Sequence, residues 1–445
     1  MIKTVSDYIT VHKLLASDGK YLVALSGGAD SVALLLLLRL LDYTVEAVHC
    51  NFHLRGDESD RDEQFVTDLC VRLDIPLHKA HFDTREYAAL HKQSIELAAR
   101  NLRYKYFEQL RRDIGADGIC IAHHRDDLVE TVLMNMVRGT GIHGMVGIRP
   151  RNGNILRPLL CVSRADIEGF LAEQHQDYVT DSTNLEDDAT RNMVRHHVVP
   201  FLQQINPAAA ENIAKTAHLM TDIEAIYNAD IERCRRECSM ECSSEKGLAL
   251  RIVTDKLMTH PAPSTALYEL LSPFGFSGVQ AEGIISGIST QRFGKLFHSP
   301  THTAVICSNC IEMGKIVNND FPPLHIPFAD TYVLHGGKRI RLEILPAAST
   351  DISRTPDIAT LDADKVAFPL ILRRIENGDR FRPFGMKGSK LVSDFLTDTK
   401  CSYFEKQRQL ALLDANGTII WLVGRRTNDA CKVQASTQQI LKISI

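Results

Sequence analysis

The chain reads as an α/β protein: a doubly wound parallel sheet, followed by a mostly helical middle domain and a small α+β C-terminal domain. Three observations predict this. Short apolar runs alternate with longer amphipathic ones through the first half, the pattern of repeated βα units and so of a parallel sheet. A glycine turn, Ser26-Gly-Gly-Ala-Asp-Ser31, joins the apolar run Tyr21–Leu25 to the wholly apolar run Val32–Leu38, as a buried strand joins a buried helix. At 445 residues the chain exceeds one ordinary core, and Asn318-Asn-Asp-Phe-Pro-Pro323 reads as a linker. The expected divisions are 1–210, 211–320 and 325–445.

The elements follow in order. After the strand and helix around the glycine turn, Val45–Cys50 reads as a second strand and Asp57–Leu73 as a charged amphipathic helix. Leu77–Phe82 is a third strand; Ser94–Arg112 is a helix with an N-cap serine and Glu96 close behind it. Gly118–Ala122 is a fourth strand, leading into a helix from about Asp126 to Arg138. Ile155–Leu160 and a helix near Arg164–Gln174 continue the alternation. Pro200 and Pro207 precede a long helix, Ala208–Cys238, and a middle region to about Phe321 mixes helix with short apolar segments. The remainder is β-rich, with strands at Lys338–Leu345 and Thr418–Val423 and a helix near Lys390–Leu396.

Two glycines in the first turn let the backbone approach a ligand and aim its N–H groups inward. The following helix turns its positive end to the same place, which favours phosphate. No lysine follows the glycines, so this is not the Gly-x-x-x-x-Gly-Lys-Ser/Thr loop. The pattern resembles the PP-loop of N-type ATP pyrophosphatases. The residues expected to hold nucleotide are therefore Ser26, Gly27, Gly28, Ala29, Asp30 and Ser31. In a doubly wound sheet ligands lie at the carboxyl ends of strands, where the fourth strand delivers His123-His-Arg-Asp-Asp-Leu-Val-Glu-Thr131. Asp127, Glu130 and Thr131 share a helix face that suits Mg²⁺ on ATP phosphates or a substrate ammonium. Taken alone, they better suit a capped helix start with exposed acids.

The neighbouring segments decide between these readings. Leu54-Arg-Gly-Asp-Glu-Ser-Asp-Arg-Asp62, Ser94-Ile-Glu-Leu-Ala-Ala-Arg-Asn-Leu-Arg-Tyr104, Arg138-Gly-Thr-Gly141, Leu156-Arg-Pro-Leu159, Asp181-Ser-Thr-Asn184 and Arg191-Asn-Met-Val-Arg195 stand in order around the acidic segment. Arg373-Arg-Ile-Glu-Asn-Gly-Asp-Arg-Phe381 and Lys390-Leu-Val-Ser-Asp-Phe395 follow. This set resembles the tRNA(Ile)-lysidine synthetases over most of the chain, least in the middle region. The family adenylates O2 of the wobble cytidine of an isoleucine tRNA with a CAU anticodon. The ε-amine of free L-lysine then attacks C2, releasing AMP. The resemblance implies ATP and Mg²⁺ as cofactors, Asp126 and Asp127 as metal ligands, and Asp30, Asp127, Glu130 and Arg191 as catalytic residues. Glu130 is expected to recognise the lysine amine, and Arg191 with Arg195 to neutralise AMP or tRNA phosphate. Asn51-Phe-His53 departs from the family's usual Asn/Asp-His-Gly, and Arg125 and Leu128 from the small residue and glutamine usual around the acid pair. His196 and His197 read as RNA or packing contacts.

Composition fits this picture. Hydrophobic residues at 44% and charged ones at 24% are those of a soluble protein. The apolar run Val32–Leu41 is broken by Arg39, and the first residues lack a signal-peptide core, so the expected location is cytoplasmic without membrane partners. A net charge of −4 confines any RNA contact to local patches. One such patch is Arg373–Lys390, with six basic and two acidic residues and with Phe381 and Phe384 available for stacking. Cys234, Cys238 and Cys242 read as one helix stripe with no partner histidine nearby, and Cys307-Ser-Asn-Cys310 as part of a strand, Ala304–Ile311; both are expected to be structural. The oligomeric state is left open, a homodimer being one option. Against another PP-loop enzyme stands the lack of a plausible cysteine pair at Cys50 and Cys120, which a tRNA thiolase would need, and of an N-terminal cysteine for glutamine hydrolysis. Against a non-catalytic nucleotide-binding regulator stand the acidic cluster and the basic tail.

Overall fold

Strand β1 (Lys20–Ala24) has its three central residues buried, so it must lie inside a sheet with both faces covered. Its alternate side chains divide between two cores. Tyr21 and Val23 join the large cluster under helices α1 (Ile2–Val11) and α2 (Ala29–Leu40), while Leu22 packs on the opposite side with Phe107 and Leu110. The computed structural model describes residues 1–54, 56–180, 190–242, 247–316, 321–334 and 337–445. They form two compact units, Met1–Asn228 and Ala229–Ile445.

In the first unit β1 is flanked by β2 (Thr44–Asn51) and β4 (Gly118–Cys120), with β3 (Leu77–His81) outside β2. The hairpin β5 (Arg151–Asn152) and β6 (Ile155–Leu156) completes the sheet, giving the order β3-β2-β1-β4-β6-β5, parallel except at that hairpin. The crossovers are α2, α3 (Asp57–Leu73) and the pair α4 (Thr84–His91) and α5 (Ile95–Asp113). Ser94 caps α5 by accepting from Leu97 N–H, as its position predicted. Helices α1 and α4 carried no signal read in the sequence. The chain winds outward from β1 to β3, then returns to β4 on the other side of β1. The carboxyl ends of β1 and β4 therefore border the crevice where such sheets bind ligands. Helices α6 (Arg125–Arg138), α7 (Gly141–Met145) and α8 (Arg164–Glu173) follow β4 and β6. Next come the short α9 (Thr190–Met193), a π-helical turn at Val194–Val198, α10 (Val199–Ile205) and the long α11 (Ala209–Cys238). The Asp181–Asn184 segment lies outside the described residues, as does part of the expected linker (318–320).

The second unit begins with an antiparallel sheet of order β7-β8-β11-β10-β9, built from Ser239–Glu241, Leu250–Val253, Leu296–His298, His302–Ile306 and Cys310–Lys315 numbered in chain order. Helices α12 (Thr254–Met258), α13 (Pro263–Leu271) and α14 (Gly278–Ser289) accompany it. Two sequence expectations are corrected here. Helix α11 stops at Cys238, so Cys242 lies off it. Ala304–Ile311 is not one strand, because β10 ends at Ile306 and turns back into β11 at Cys310. Beyond residue 320 the chain forms two further antiparallel sheets around a core that includes Trp421, Leu372, Leu361 and Leu441. A two-residue ladder pairs Arg380–Phe381 with Lys390–Leu391. Phe381 is only 3% exposed and packs edge-on against Phe395, so it belongs to the core and cannot stack on a base; Phe384, 49% exposed, can.

Candidate active site at the ends of the central strands

The turn after β1 is built for close approach. Gly27 adopts φ of +95°, where a side chain would be strained, and a Cβ there would sit 3.4 Å from Val66. Its carbonyl accepts from Val179 N–H at 2.9 Å. Ser31 braces the loop from the first turn of α2: its hydroxyl donates to Gly28 O at 2.9 Å and accepts from Ser26 N–H at 3.2 Å. Ser26 and Ser31 hydroxyls lie 3.1 Å apart. Gly28 is the N-cap, so the amides of Ala29, Asp30 and Ser31 have no acceptor within the helix and face the ligand edge.

Two more helix N-termini arrive at the same place. His124 caps α6, and its N–H donates to Asp127 Oδ2 at 3.0 Å. The first amide of α8, that of Arg164, donates to Asp126 Oδ2 at 2.9 Å, while the Arg164 guanidinium donates to Asp30 Oδ2 at 2.6 Å. Asp126 and Arg164 thus tie the starts of α2, α6 and α8 together, and the partial positive charge of three helix ends is directed at one cluster of carboxylates. Buried His124 stands among them, with Nε2 3.8 Å from Asp30 Oδ1 and 3.6 Å from Asp127 Oδ2. Asp30 Oδ1 is buried and has no hydrogen-bond partner among the described residues. Burial raises the Asp30 carboxyl above its usual range, against the opposing pull of His124 and Arg164.

Glu130, one turn along α6, is 1% exposed. Arg195 grips it with both arms, Nε to Oε1 at 2.6 Å and Nη2 to Oε2 at 3.1 Å. Arg191 approaches Oε2 at 3.4 Å and donates to Thr131 Oγ1 at 3.0 Å. Burial still raises the Glu130 carboxyl, although Arg195 works against it. Arg195 lies in the π-helical turn, an irregularity that often marks functional sites. Next to this cluster, burial pushes His123 down to about 4, and Arg157 Nε donates to its Nδ1 at 3.0 Å, so the ring is neutral with its proton on Nε2.

Two cavities flank the glycine turn. One, of about 660 Å³, is lined by Asp30, His124, Asp126, Asp127, Glu130, Arg164 and Arg195. The other, of about 530 Å³, opens beside Ser26, His49, Asn51, Phe52, Arg100 and Arg103. Every first-half site residue expected from sequence lies in the loop, in the larger cavity or, for Arg191, on Glu130. Arg164, His49 and the Arg157–His123 pair went unrecognised. Arg164 carried one usable signal, its position just inside the Ser163–Asp166 capping box, which places it at a helix start.

In the basic tail the cations are less free than the sequence implied. Arg373 pairs with Asp379 at 2.8 Å, and Arg382 pairs with buried Asp429. Among the described residues Arg380 donates only to Ser389, and Lys387 is exposed. Among the described residues no helix is long and apolar enough to cross a membrane.

Comparison with known proteins agrees with this arrangement. Residues 4–202 match the family model of the PP-loop domain, and residues 245–307 that of the TilS substrate binding domain. A tRNA(Ile)-lysidine synthase of Parabacteroides distasonis is 44% identical over 452 residues, covering 100% of this chain and 99% of the relative. The same enzyme of Bacteroides thetaiotaomicron is 42% identical, covering 98% of this chain and 97% of the relative. That of Porphyromonas gingivalis is 37% identical, covering 92% and 90%. With identity of this level along its whole length, and with a PP-loop at the switch point of its sheet, the chain belongs to the tRNA(Ile)-lysidine synthase family.

Proposed function

We propose that this protein joins free lysine to C2 of the wobble cytidine in an isoleucine tRNA with a CAU anticodon, in the cytoplasm, at the expense of ATP. O2 of the cytidine attacks the α-phosphate and pyrophosphate leaves. The ε-amine of lysine then adds to C2, and AMP departs with the C2–O2 bond. The observation that carries the reading is the meeting of a phosphate-binding turn with Asp30, Asp126, Asp127 and Glu130 at the ends of β1 and β4, rimmed by Arg164, Arg191 and Arg195.

The residues divide the work by their chemistry. The loop Ser26–Ser31 and the amides of α2 hold phosphate oxygens. Mg²⁺ fits the acids beside them, because Asp30 Oδ1 is a buried acceptor with no partner among the described residues. No three of these acidic atoms lie within 4.8 Å of one another among the described residues, so one or two of Asp30, Asp126 and Asp127 would hold the ion beside phosphate oxygens. When bound, it neutralises phosphate charge. Glu130 is positioned for the lysine ammonium, but its oxygens are already occupied by Arg195. Binding lysine there requires Arg195 to pass from the carboxylate to an anion, and the departing AMP or a tRNA phosphate is such an anion. The amine must reach C2 unprotonated, held at contact distance. Domains at 211–320 and 325–445 are assigned to substrate and tRNA binding in this reading, with Arg380, Lys387 and Phe384 on the tRNA-facing surface.

The test is stoichiometric. AMP and pyrophosphate should be released one for one only when tRNA(Ile) and lysine are both present. Release that ignores tRNA would discard the reading.

A further inference from the structure

Strand alternation gathers an unusual set of side chains on one face of the sheet β7-β8-β11-β10-β9. In β11, Cys310 and Glu312 are two residues apart and share a face. The register pairs Val305 with Glu312 and Ile306 with Ile311, so Cys307, one residue beyond β10, comes opposite Cys310. Cys307 N–H donates to Cys310 O at 2.8 Å, closing the turn between them. On the other side, Arg251 of β8 is paired directly with Glu312. The Cys-x-x-Cys that looked isolated in the sequence therefore has a third partner, supplied by the strand and not by a neighbouring histidine.

The two sulfurs and a carboxylate oxygen of Glu312 all lie within 4.8 Å of one another. Glu312 is 5% exposed and Cys310 9%. Arg251 Nη2 donates to Glu312 Oε1 at 2.6 Å, while Oε2 is buried with no hydrogen-bond partner among the described residues. A buried carboxylate oxygen left without a donor is costly unless something takes it up. Arg251 fixes the orientation of the carboxylate in the way an outer partner fixes a metal ligand. We propose that Cys307, Cys310 and Glu312 bind one thiophilic divalent cation of the zinc class, with a fourth position open to water. Two thiolates, one carboxylate, a doubly charged cation and Arg251 sum to zero, so a buried site carries no net charge. Such an ion would pin β8, β10 and β11 together at the C-terminal edge of residues 245–307, the stretch that matches the substrate binding domain.

The experiment uses the untagged, reduced full-length chain. Zn²⁺ is titrated against a chromophoric chelator, and Co²⁺ is followed by thiolate-to-metal charge-transfer absorption. Wild type should take up one Zn²⁺ per chain with a Kd of about micromolar or tighter, and Zn²⁺ should raise its thermal midpoint. The Cys307→Ser/Cys310→Ser double variant should lose that equivalent and the charge-transfer band. Glu312→Gln, which keeps the shape and an acceptor for Arg251, should keep the band but bind at least ~10-fold more weakly. Binding that is absent in wild type, or unchanged in the double variant because it resides at the Cys234–Cys238 pair, would overturn the proposal. So would a Cys307–Cys310 disulfide that forms in air in a protein that takes up no Zn²⁺.

Discussion

Replacing Glu130 with glutamine changes charge at nearly constant shape in the most enclosed part of the site. The carboxylate is 1% exposed and accepts two charge-assisted hydrogen bonds from Arg195, with Arg191 at 3.4 Å. Glutamine would turn an NH₂ group toward one guanidinium arm, replacing an attraction with a donor–donor contact. A hydrogen bond to a charged group contributes about 1.5–3 kcal/mol, and breaking a buried ion pair costs about 3–5 kcal/mol. Arg195 keeps 35% of its side-chain surface and can turn to water, so the lower part of that range applies, about 2–3 kcal/mol. If the same charge receives the lysine ammonium, this loss appears as a roughly 30- to 150-fold rise in the KM for lysine. tRNA-dependent ATP–pyrophosphate exchange, which needs no lysine, should change by less than about threefold. The two assays are run on one preparation, with circular dichroism to confirm folding. Equal losses in both would refute lysine recognition by Glu130 and place the residue on the metal or the nucleotide.

Ser31→Ala removes the hydroxyl that joins Ser26 N–H to Gly28 O, and at about 0.5–1.5 kcal/mol for a hydrogen bond it should raise the KM for ATP several-fold. Asp30→Ala should impair pyrophosphate release more strongly with the fold intact; wild-type release at limiting ATP by either variant would sink the loop assignment. Replacing Arg380, Arg382 and Lys387 together with alanine should flatten the log–log salt dependence of tRNA binding by roughly 1.4–1.8, two contacts and not three, because Arg382 is committed to Asp429. ATP binding should not change, and an unaltered slope would return the tail to plain solvated surface. Glu108 is held at about 2 by hydrogen bonds from Arg111, with Asn154 and Arg112 adding to it. A depressed carboxyl stabilises above its unfolded value near ~4.3 and loses that contribution as pH falls toward 2. With screening at this partly exposed site, Glu108→Gln should cost about 1 kcal/mol at pH 7 and roughly half of that at pH 3; a penalty that grows on acidification would contradict the assignment.

The parallel sheet was legible because its inner strands are short apolar runs that alternate with helix-length segments. Asp57–Leu73 matches its expected bounds, and Ser94 caps α5 as foreseen. Helix α1 was not, since half of Ile2–Val11 is polar, no side chain caps its start, and it buries only Val5 and Ile9. The acids of the site could be read from their positions after β4, a local property. Their pairing with cations could not: Arg195 was expected at the site but not on Glu130, Arg164 was not expected at all, and the two reach Glu130 and Asp30 across 65 and 134 residues of sequence, which only the returned chain brings together. The same limit explains Cys307 and Cys310, whose third partner depends on strand register, and Phe381, whose inward face is set by a two-residue ladder too short to show a period.

In the proposed reaction this chain makes lysidine on tRNA. The direct measurement is mass analysis of nucleosides released from tRNA(Ile) with a CAU anticodon after incubation with enzyme, ATP and isotopically labelled lysine. One cytidine per tRNA should be replaced by a nucleoside heavier by lysine less one water, carrying the label, and omission of ATP should abolish it. Cytidine that stays unmodified while AMP and pyrophosphate accumulate, or label found anywhere other than the wobble position, would contradict that reaction.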